Sequence, residues 1–207
     1  MGSTLVTLKR ALRKELKTTL GSVTKATIAS ESEQVLQKLF NLEAYRSSRN
    51  VSVYISLPSG EIDTRVLIHH ILHSDKSCYV PRWTKDAMEM VKIKSWEEYL
   101  ALPVNKWNIP EPSHEQVMEK ALEKEGLDLI IVPAMAFDTE HNRIGHGKGY
   151  YDKYLRKCNE WAVEHQQEPP KTVGLALSAQ LLEAGRIPVE PTDQKINCII
   201  SPNRVIQ

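Results

Sequence analysis

The chain has 207 residues, of which 41% are hydrophobic and 26% charged, a composition typical of a globular protein that can bury a core without disulfides or structural metals. Its formal net charge of +1 excludes a global field that would draw it to nucleic acid or to an acidic membrane. It also lacks the run of about 18 apolar residues that a membrane-spanning helix requires, so we expect local anion binding only, with neither a nucleic-acid nor a membrane partner.

Helices and strands follow one another along the chain, because apolar residues recur at helical spacing in some segments and alternate with polar residues in others. The proline-rich, aperiodic stretch 99–112 predicts a long loop. "LDLIIVPAMAF", over 127–137, is the most apolar run and predicts a central strand buried on both faces. In chain order, the predicted helices are 4–20, 28–42, 64–73, 114–125, 149–164 and 179–184, and the predicted strands are 51–57, 77–81, 88–93, 127–137, 172–177 and 196–200.

This alternation predicts an α/β fold whose mostly parallel central sheet is covered by helices on both faces, in a single domain over 1–207. Ligands of such sheets bind beyond the carboxyl ends of the strands. Three loops are expected at that edge, namely 57–62, 103–112 and 138–151.

The three cysteines, Cys78, Cys158 and Cys198, are far apart and form no C-x-x-C pair. Neither a disulfide framework nor a zinc site is therefore predicted, and reduced thiols fit a cytoplasmic protein. The start of the chain is basic, because its first acidic residue is Glu15. Such a start loosely resembles a mitochondrial presequence, so the mitochondrion is the alternative compartment.

The stretch "RIGHGKGYYD", residues 143–152, alternates glycines with cationic side chains. Alternating glycines let backbone N–H groups converge on an anion, and Arg143 and Lys148 supply positive charge for phosphate oxygens. The spacing matches neither the Walker A motif nor the Rossmann glycine pattern. A flexible glycine turn with incidental surface charges is the alternative at this point.

Two tyrosines and an acid close the same stretch. Tyr150 and Tyr151 could be core aromatics on the first turn of a helix or could contact a ligand. Asp152 could be an acid favoured by the helix dipole, or it could hold Mg²⁺ against phosphates, since Mg²⁺ commonly takes one or two carboxylates together with substrate oxygens.

The extended pattern "FD-x-x-x-N-R-x-G-x-G-K-G-Y-Y-D", from Phe137 to Asp152, resembles the signature of the 5-formyltetrahydrofolate cyclo-ligase family. Further segments resemble that family in the same order: "LKRALRKEL", "YISLPSGEIDT", "WNIPEP", "DLIIVP" and "IPVEPTDQKIN". The resemblance extends over about residues 5 to 200.

The resemblance implies a three-layer α/β/α fold like that of the ribose-phosphate isomerase, glucosamine-phosphate isomerase and CoA-transferase group. It implies an ATP- and Mg²⁺-dependent ligase of one-carbon metabolism that converts 5-formyltetrahydrofolate to 5,10-methenyltetrahydrofolate and releases ADP and phosphate. The implied route passes through a phosphorylated formyl group. We expect a monomer whose partners are these small molecules. A non-catalytic reduced-folate-binding protein and another ATP-using enzyme of the same fold are the alternatives.

The resemblance also assigns residues. The implied ATP-binding residues are Lys9, Arg10, Arg13, Arg143, Ile144, Gly145, His146, Gly147, Lys148, Gly149, Tyr150 and Tyr151. The implied folate-binding residues are Ile55, Leu57, Glu61, Trp107 and Tyr151. The implied catalytic residues are Lys148, Arg143 and Tyr151, and the implied Mg²⁺ ligands are Asp152 and Asp193.

Each assignment has a structural alternative. Glu61 can accept hydrogen bonds from pterin N–H groups, but it could be a turn acid before a helix. Trp107 offers a flat face to an aromatic ring, but it could fill the core under a loop. Asp193 could be an ordinary loop carboxylate, and Lys9 and Arg13 could lie on a solvated helix face.

Two positions depart from the family pattern. His146 stands where many members have arginine or an aromatic residue, which leaves its role open. Asn197 replaces a frequent aspartate, so Asp193 is the one carboxylate assigned to that segment. Arg82, which follows a strand-ending proline, is a further candidate for contacting an anion.

Overall fold

The computed structural model describes residues 2–84, 87–105 and 109–207. Its α-helices are α1 (Gly2–Gly21), α2 (Lys25–Asn41), α3 (Glu43–Arg46), α4 (Arg65–Leu72), α5 (Trp96–Leu100) and α6 (Tyr150–Glu164). Its strands are β1 (Asn50–Ser52), β2 (Ser77–Trp83), β3 (Met88–Ile93), β4 (Leu129–Val132), β5 (Ala136–Asp138), β6 (Arg143–Ile144), β7 (Lys171–Leu175), β8 (Leu181–Leu182), β9 (Cys198–Ile200) and β10 (Val205–Ile206). Short 3-10 helices cover Ala121–Glu123 and Ser178–Gln180.

Seven strands form the larger sheet, in the order β10-β9-β7-β4-β1-β2-β3. The five inner strands pair in parallel, and the edge strands β3 and β10 pair antiparallel with their neighbours. Helix α4 lies in the connection from β1 to β2, and α6 lies in the connection from β4 to β7. These connections leave the central β1–β4 pair in opposite directions, so right-handed crossovers place the two helices on opposite faces. The predicted α/β fold with a mostly parallel sheet is confirmed.

The predicted single strand over 127–137 is wrong, because the run divides into two strands of different sheets. Strand β4 lies in the larger sheet and ends just before Pro133, which has no N–H to donate to a neighbouring strand. Strand β5 instead pairs with β6 and β8 in a three-stranded sheet. Phe137 of β5 packs so closely over Gly174 that a Cβ there would lie 2.4 Å from the Phe137 ring.

The predicted strand over 51–57 is too long, since β1 ends at Ser52. The Val53 N–H still donates to the Tyr79 carbonyl of β2 at 2.8 Å, and side-chain bonds replace sheet pairing after it. Thr64 Oγ1 donates to the Tyr54 carbonyl at 2.7 Å, and the Ser56 N–H donates to Thr64 Oγ1 at 3.1 Å. These bonds tie residues 54–56 to Thr64, so the segment between them, which contains Glu61, forms a closed loop beyond β1.

Two predicted helices are also wrong. Residues 114–125 contain only the 3-10 turn over Ala121–Glu123, because the segment pairs with the edge of the sheet through the Lys92 N–H, which donates to the Glu119 carbonyl at 2.9 Å. Residues 179–184 contain the end of the second 3-10 turn and then β8, because β5 offers that segment a parallel partner.

Helix α1 packs against the smaller sheet rather than lying free in solvent. Leu12, Leu16 and Leu20 are buried in a cluster that also contains Met135 and Ile144. The helix therefore carries its basic side chains to the residues that follow β6. Within the described ranges, we find no helix that is both long and apolar enough to cross a membrane.

Candidate functional site

A crevice is expected where β1 and β4 lie side by side, because the connections that follow them leave to opposite sides of the sheet. The segment after β1 brings Ile55, Leu57 and Glu61 to this edge. The chain after β4 returns through the β5–β6 hairpin and supplies the glycine loop, residues 145–149. Two of the three predicted loops thus meet at one place.

A buried aspartate shapes the hairpin that precedes the glycine loop. Asp138 Oδ1 accepts the N–H groups of Glu140 and Asn142, both at 3.0 Å, and Asp138 Oδ2 accepts from Asn142 Nδ2 at 3.1 Å. These bonds hold the tight turn between β5 and β6. The "FD-x-x-x-N" half of the motif is therefore structural, and it fixes the direction in which Arg143 leaves the hairpin.

The glycine loop lies over the guanidinium of Arg13. Arg13 Nε donates to the Gly145 carbonyl at 2.8 Å, and a Cβ at Gly147 would lie 3.3 Å from Arg13 Cζ. Gly147 has a φ of +101°, and Gly149, with a φ of +66°, is the N-cap of α6. These backbone angles favour glycine, and the start of α6 directs its positive dipole toward the loop.

The side chains of the loop point in different directions. Lys148 is exposed, and its ammonium has no ion-pair partner in the described ranges. Ile144 is buried under α1, so its side chain belongs to the core and not to a nucleotide contact. Loss of hydration within the loop and the nearby Arg13 charge lower the pKa of His146, although its side chain stays accessible to solvent.

Arg143 is paired with Asp152 beneath the loop. Arg143 Nη2 donates to Asp152 Oδ1 at 2.6 Å, and the side chain of Arg143 is only 5% exposed. Its Nε is buried and has no hydrogen-bond partner among the described residues. Because this buried N–H has no partner, it can donate to a new oxygen atom without losing an existing bond.

Lys9 is buried and ion-paired, so the alternative of a solvated helix face is wrong for this residue. Its Nζ lies 2.8 Å from Glu190 Oε2 and 2.6 Å from Asp193 Oδ2. Burial would lower the pKa of Lys9, but the hydrogen bonds to Asp193 and Glu190 outweigh it and raise the pKa. Arg13 is half-buried, whereas Arg10 is exposed and has no hydrogen bond or ion pair with a described residue.

The two carboxylates assigned to Mg²⁺ lie in connected segments, because the Gln194 N–H donates to Asp152 Oδ1 at 3.0 Å and Gln194 directly follows Asp193. Each carboxylate uses one oxygen for a cationic side chain, and its other oxygen has no hydrogen-bond partner among the described residues. No cluster of three or more His, Cys, Asp or Glu side chains able to hold a metal occurs in these ranges. Two carboxylates nevertheless fit Mg²⁺, which takes its remaining ligands from water and phosphate.

Glu61 provides a carboxyl group at the other side of the crevice. Its Oε2 accepts the Leu57 N–H at 2.9 Å, and the residue is buried. Burial raises the pKa of Glu61 to about 7, and the bond from Leu57 opposes this rise only in part. The group can thus be neutral or charged near neutral pH.

Tyr151 is a buried tyrosine that lies near both Glu61 and Arg143. Its hydroxyl is buried without a hydrogen-bond partner in the described ranges. Burial raises the pKa of Tyr151, Glu61 raises it further, and the Arg143 guanidinium opposes the increase. Glu61 and Arg143 therefore both lie within electrostatic range of the Tyr151 hydroxyl.

Trp83 packs against two tyrosines of the predicted site, although the sequence did not single it out. Its ring centroid lies 4.9 Å from that of Tyr150 and 6.3 Å from that of Tyr151. The signal that could have found it is a tryptophan at the end of a strand, directly after the Arg82 singled out above. Trp107, which was assigned to the folate site, lies outside the described residues.

A cavity of about 390 Å³ lies beside residues 55–58, which precede Glu61 in the chain. It reaches from Ile55, one of the residues assigned to folate, to Asp63 and Arg65 at the start of α4. Its other lining residues are Ser56, Pro58, Tyr99, Leu100, Leu102, Val104 and Pro110.

Two further residues have structural partners away from the glycine loop. Asn197 Oδ1 accepts from the Thr172 N–H at 2.8 Å and from Thr172 Oγ1 at 2.9 Å, which ties it to the start of β7. Arg82 pairs with Glu89 at 3.1 Å and donates to the Gln116 carbonyl at 2.9 Å. The structure thus places neither of them among the cations and carboxylates around the loop.

Comparison with known proteins gives a consistent result. A sequence model of the 5-formyltetrahydrofolate cyclo-ligase family matches residues 6–202. The chain is 37% identical over 199 residues to 5-formyltetrahydrofolate cyclo-ligase of Mus musculus, with 95% of each chain covered. It is 34% identical over 202 residues to a probable 5-formyltetrahydrofolate cyclo-ligase of Schizosaccharomyces pombe, with 96% of this chain and 97% of the relative covered.

A solved structure agrees with these relatives. The NMR structure of Aquifex aeolicus 5,10-methenyltetrahydrofolate synthetase superposes with a TM-score of 0.75 at 27% identity. The superposition covers 97% of this chain and 92% of the other. The chain therefore belongs to the 5-formyltetrahydrofolate cyclo-ligase family.

Proposed function

We propose that this protein catalyses the ATP- and Mg²⁺-dependent cyclisation of 5-formyltetrahydrofolate to 5,10-methenyltetrahydrofolate, with release of ADP and phosphate. The observation that carries the proposal is that the buried Tyr151 hydroxyl lies within electrostatic range of both Glu61 and Arg143. A single crevice thus has a buried carboxyl suited to a pterin on one side and a cationic glycine loop suited to phosphates on the other. Family membership supports the same reaction.

The chemistry requires both halves of the crevice. The oxygen of the formyl group on N5 is a poor leaving group, so N10 cannot close the ring until that oxygen is activated. Attack of the formyl oxygen on the γ-phosphorus of ATP breaks the bond to ADP and gives an iminium phosphate. N10 then attacks the formyl carbon and loses its proton, and phosphate leaves with the former formyl oxygen.

Positioning and charge stabilisation are the main contributions of the protein to such a transfer. The Lys148 ammonium has no ion-pair partner among the described residues, and it is our candidate for stabilising the transferred phosphoryl group. The loop backbone, Arg13 and Arg143 would hold the nucleotide phosphates, with Lys9 at the same end of α1. The buried Tyr151 hydroxyl would then lie where formyl group and phosphate meet.

Asp152 and Asp193 would hold Mg²⁺, because each has one oxygen without a hydrogen-bond partner among the described residues. When bound, Mg²⁺ supplies positive charge that offsets the negative charge of the phosphate oxygens. Arg143 and Lys9 bind the other oxygens of these carboxylates. Both cationic side chains would therefore lie near the bound ion and would be available to the phosphate oxygens as well.

Glu61 would bind the pterin through hydrogen bonds from its amino and ring N–H groups. The Leu57 N–H already holds one oxygen of Glu61, which fixes the orientation of the carboxyl group. Ile55 and Leu57 are half-buried beside it, and the rings of Trp83 and Tyr150 lie near Tyr151. The cavity beyond Ile55 would accommodate the aminobenzoyl part of the folate.

We further propose that the protein acts as a monomer in the cytoplasm. Helix α1 packs into the fold and contributes Lys9 and Arg13 to the site, which supports a role for the basic start other than as a presequence. All three cysteines are free and buried, as suits a reducing compartment.

The direct test mixes purified protein with 5-formyltetrahydrofolate and Mg²⁺, with and without ATP, and follows the absorbance of 5,10-methenyltetrahydrofolate. We expect product only when ATP is present. Folate binding without ATP-dependent product would favour a reduced-folate-binding protein. ATP hydrolysis without folate binding would favour another ATP-using enzyme of the same fold.

A further inference from the structure

The ammonium of Lys9 is held by two carboxylates from one turn near the end of the chain, Glu190 and Asp193. Two more bonds close this turn: the Glu190 N–H donates to Asp193 Oδ2 at 2.8 Å, and the Asp193 N–H donates to the Glu190 carbonyl at 3.0 Å. These bonds thus hold both carboxylates side by side, where they contact Lys9 of α1.

Only one of these carboxylates is a candidate for Mg²⁺. A metal ion on Asp193 would lie close to the ammonium that already occupies Asp193 Oδ2, and two cations at such a distance repel. The Lys9 side chain is 10% exposed, so it cannot simply turn into solvent. A buried ammonium without a counter-charge is strongly destabilising. Lys9 therefore needs another partner whenever Asp193 binds metal.

We propose that Glu190 is that partner, a positioning residue that keeps the Lys9 ammonium paired and directed at the nucleotide phosphates while Asp193 turns to the metal. The inference rests on the proposed function, because it requires ATP and Mg²⁺ at this site. It gives the two carboxylates different tasks. Asp193 exchanges the Lys9 ammonium for the metal ion, and Glu190 keeps its bond to that ammonium.

The charges within the ion pairs of Lys9 and Arg143 support this division. Asp152, Glu190 and Asp193 carry three negative charges, against two positive charges on Lys9 and Arg143. The excess of one negative charge favours the arrival of a divalent cation. Neutralising Glu190 removes this excess and leaves Asp193 as the one carboxylate paired with Lys9 within the described ranges.

The test measures ATP binding by calorimetry over a series of Mg²⁺ concentrations, without folate, for the wild type, Glu190→Gln and Glu15→Gln. Glu15 is a matched control, because it also lies in an ion pair between α1 and the C-terminal segment, with Arg186 at 3.0 Å, but in an exposed position. Mg²⁺ should raise the affinity for ATP in each protein. We expect Glu190→Gln to need on the order of fivefold more Mg²⁺ than the wild type to reach half of this increase. Without Mg²⁺ it should bind ATP at least as tightly as the wild type, and Glu15→Gln should match the wild type throughout.

Glu190→Asp separates charge from packing, because it keeps the charge on a shorter side chain, and it should need Mg²⁺ at nearly the wild-type concentration. An unchanged Mg²⁺ requirement in Glu190→Gln would overturn the inference, as would an equal loss of ATP affinity with and without Mg²⁺. In both cases the proposed function would stand, since the wild type would still bind ATP with Mg²⁺. A wild type that binds no ATP at all would instead contradict the proposed function itself.

Discussion

Lys148 is the exposed cation of the glycine loop, and its replacement tests the phosphoryl-transfer role most simply. We expect Lys148→Ala to lower kcat by about 10²-fold or more, because one charge stabilising the transferred group is lost. Folate affinity should stay close to that of the wild type. Steady-state kinetics and a folate titration check both expectations, and Lys157→Ala, an exposed lysine further along α6, is the control. Unchanged turnover in Lys148→Ala would remove Lys148 from the mechanism.

Glu61 predicts a characteristic dependence of stability on pH. Its pKa in the folded chain, about 7, lies above the ordinary value of 4.5, so the folded state retains a proton that the unfolded chain releases between these values. The resulting stability is fully present below the ordinary value and is lost as pH rises through about 7. Relative to Glu61→Gln, the wild type should lose up to about 3 kcal/mol of unfolding free energy from about pH 5 to about pH 8. Denaturant titrations at each pH measure this difference, and parallel curves would contradict it.

Glu61 also predicts a separation between folate and ATP binding. We expect Glu61→Ala to weaken the binding of 5-formyltetrahydrofolate, because the hydrogen bonds to the pterin are lost, and to leave the binding of ATP intact. Isothermal titration with each ligand alone distinguishes the two effects. A fall in ATP affinity would mean that the two sites are placed wrongly in the crevice.

At the residue scale, the sequence indicated which side chains belong to the site better than it indicated their partners. Helical spacing placed Lys9 and Arg13 on one flank of α1, but Glu190 lies 181 residues from Lys9, and no local pattern links them. The same applies to the buried Tyr151 hydroxyl, whose surroundings arise from three separate segments. Trp83 was missed because a single aromatic residue at a strand end has no periodic signal.

Gly147 tests the glycine loop as an element. Its φ of +101° is unfavourable for alanine, and an added Cβ would lie 3.3 Å from Arg13 Cζ. We expect Gly147→Ala to weaken ATP binding, because strain of roughly 1–3 kcal/mol would reshape the loop. Nucleotide titration measures the effect. The control is Gly185→Ala, which also has a positive φ, +74°, but open space around it, and it should leave ATP binding unchanged. Equal ATP affinity in both variants would contradict the assigned role of the loop.

At the element scale, strongly periodic segments were predicted well and ambiguous ones were not. Helices α1, α2 and α6 follow apolar stripes that the sequence displays directly. The run over 127–137 gave no sign of its division, because apolar residues fill both a strand of the larger sheet and a strand of the smaller one. The predicted helix over 114–125 failed because an open sheet edge offered tertiary hydrogen bonds that outweigh local helical preference.

At the scale of the whole molecule, the topology explains why one crevice can hold two ligands. The β1–β4 pair is the point where the strand order reverses, so segments from opposite connections meet beyond it. Alternation of helices and strands predicted such an edge and the loops that border it, and the family resemblance indicated which of their residues bind ligands. The sequence alone could not show that Glu61 and Arg143 both lie within electrostatic range of the Tyr151 hydroxyl, because that proximity depends on tertiary packing.

The central claim is that the formyl oxygen is activated by transfer of a phosphoryl group within this crevice. The most direct measurement uses 5-formyltetrahydrofolate labelled with ¹⁸O in the formyl group and follows the label by mass spectrometry of the released phosphate. We predict that each phosphate formed with 5,10-methenyltetrahydrofolate carries one ¹⁸O atom, and that no labelled phosphate forms without ATP. Product accompanied by unlabelled phosphate would contradict the account.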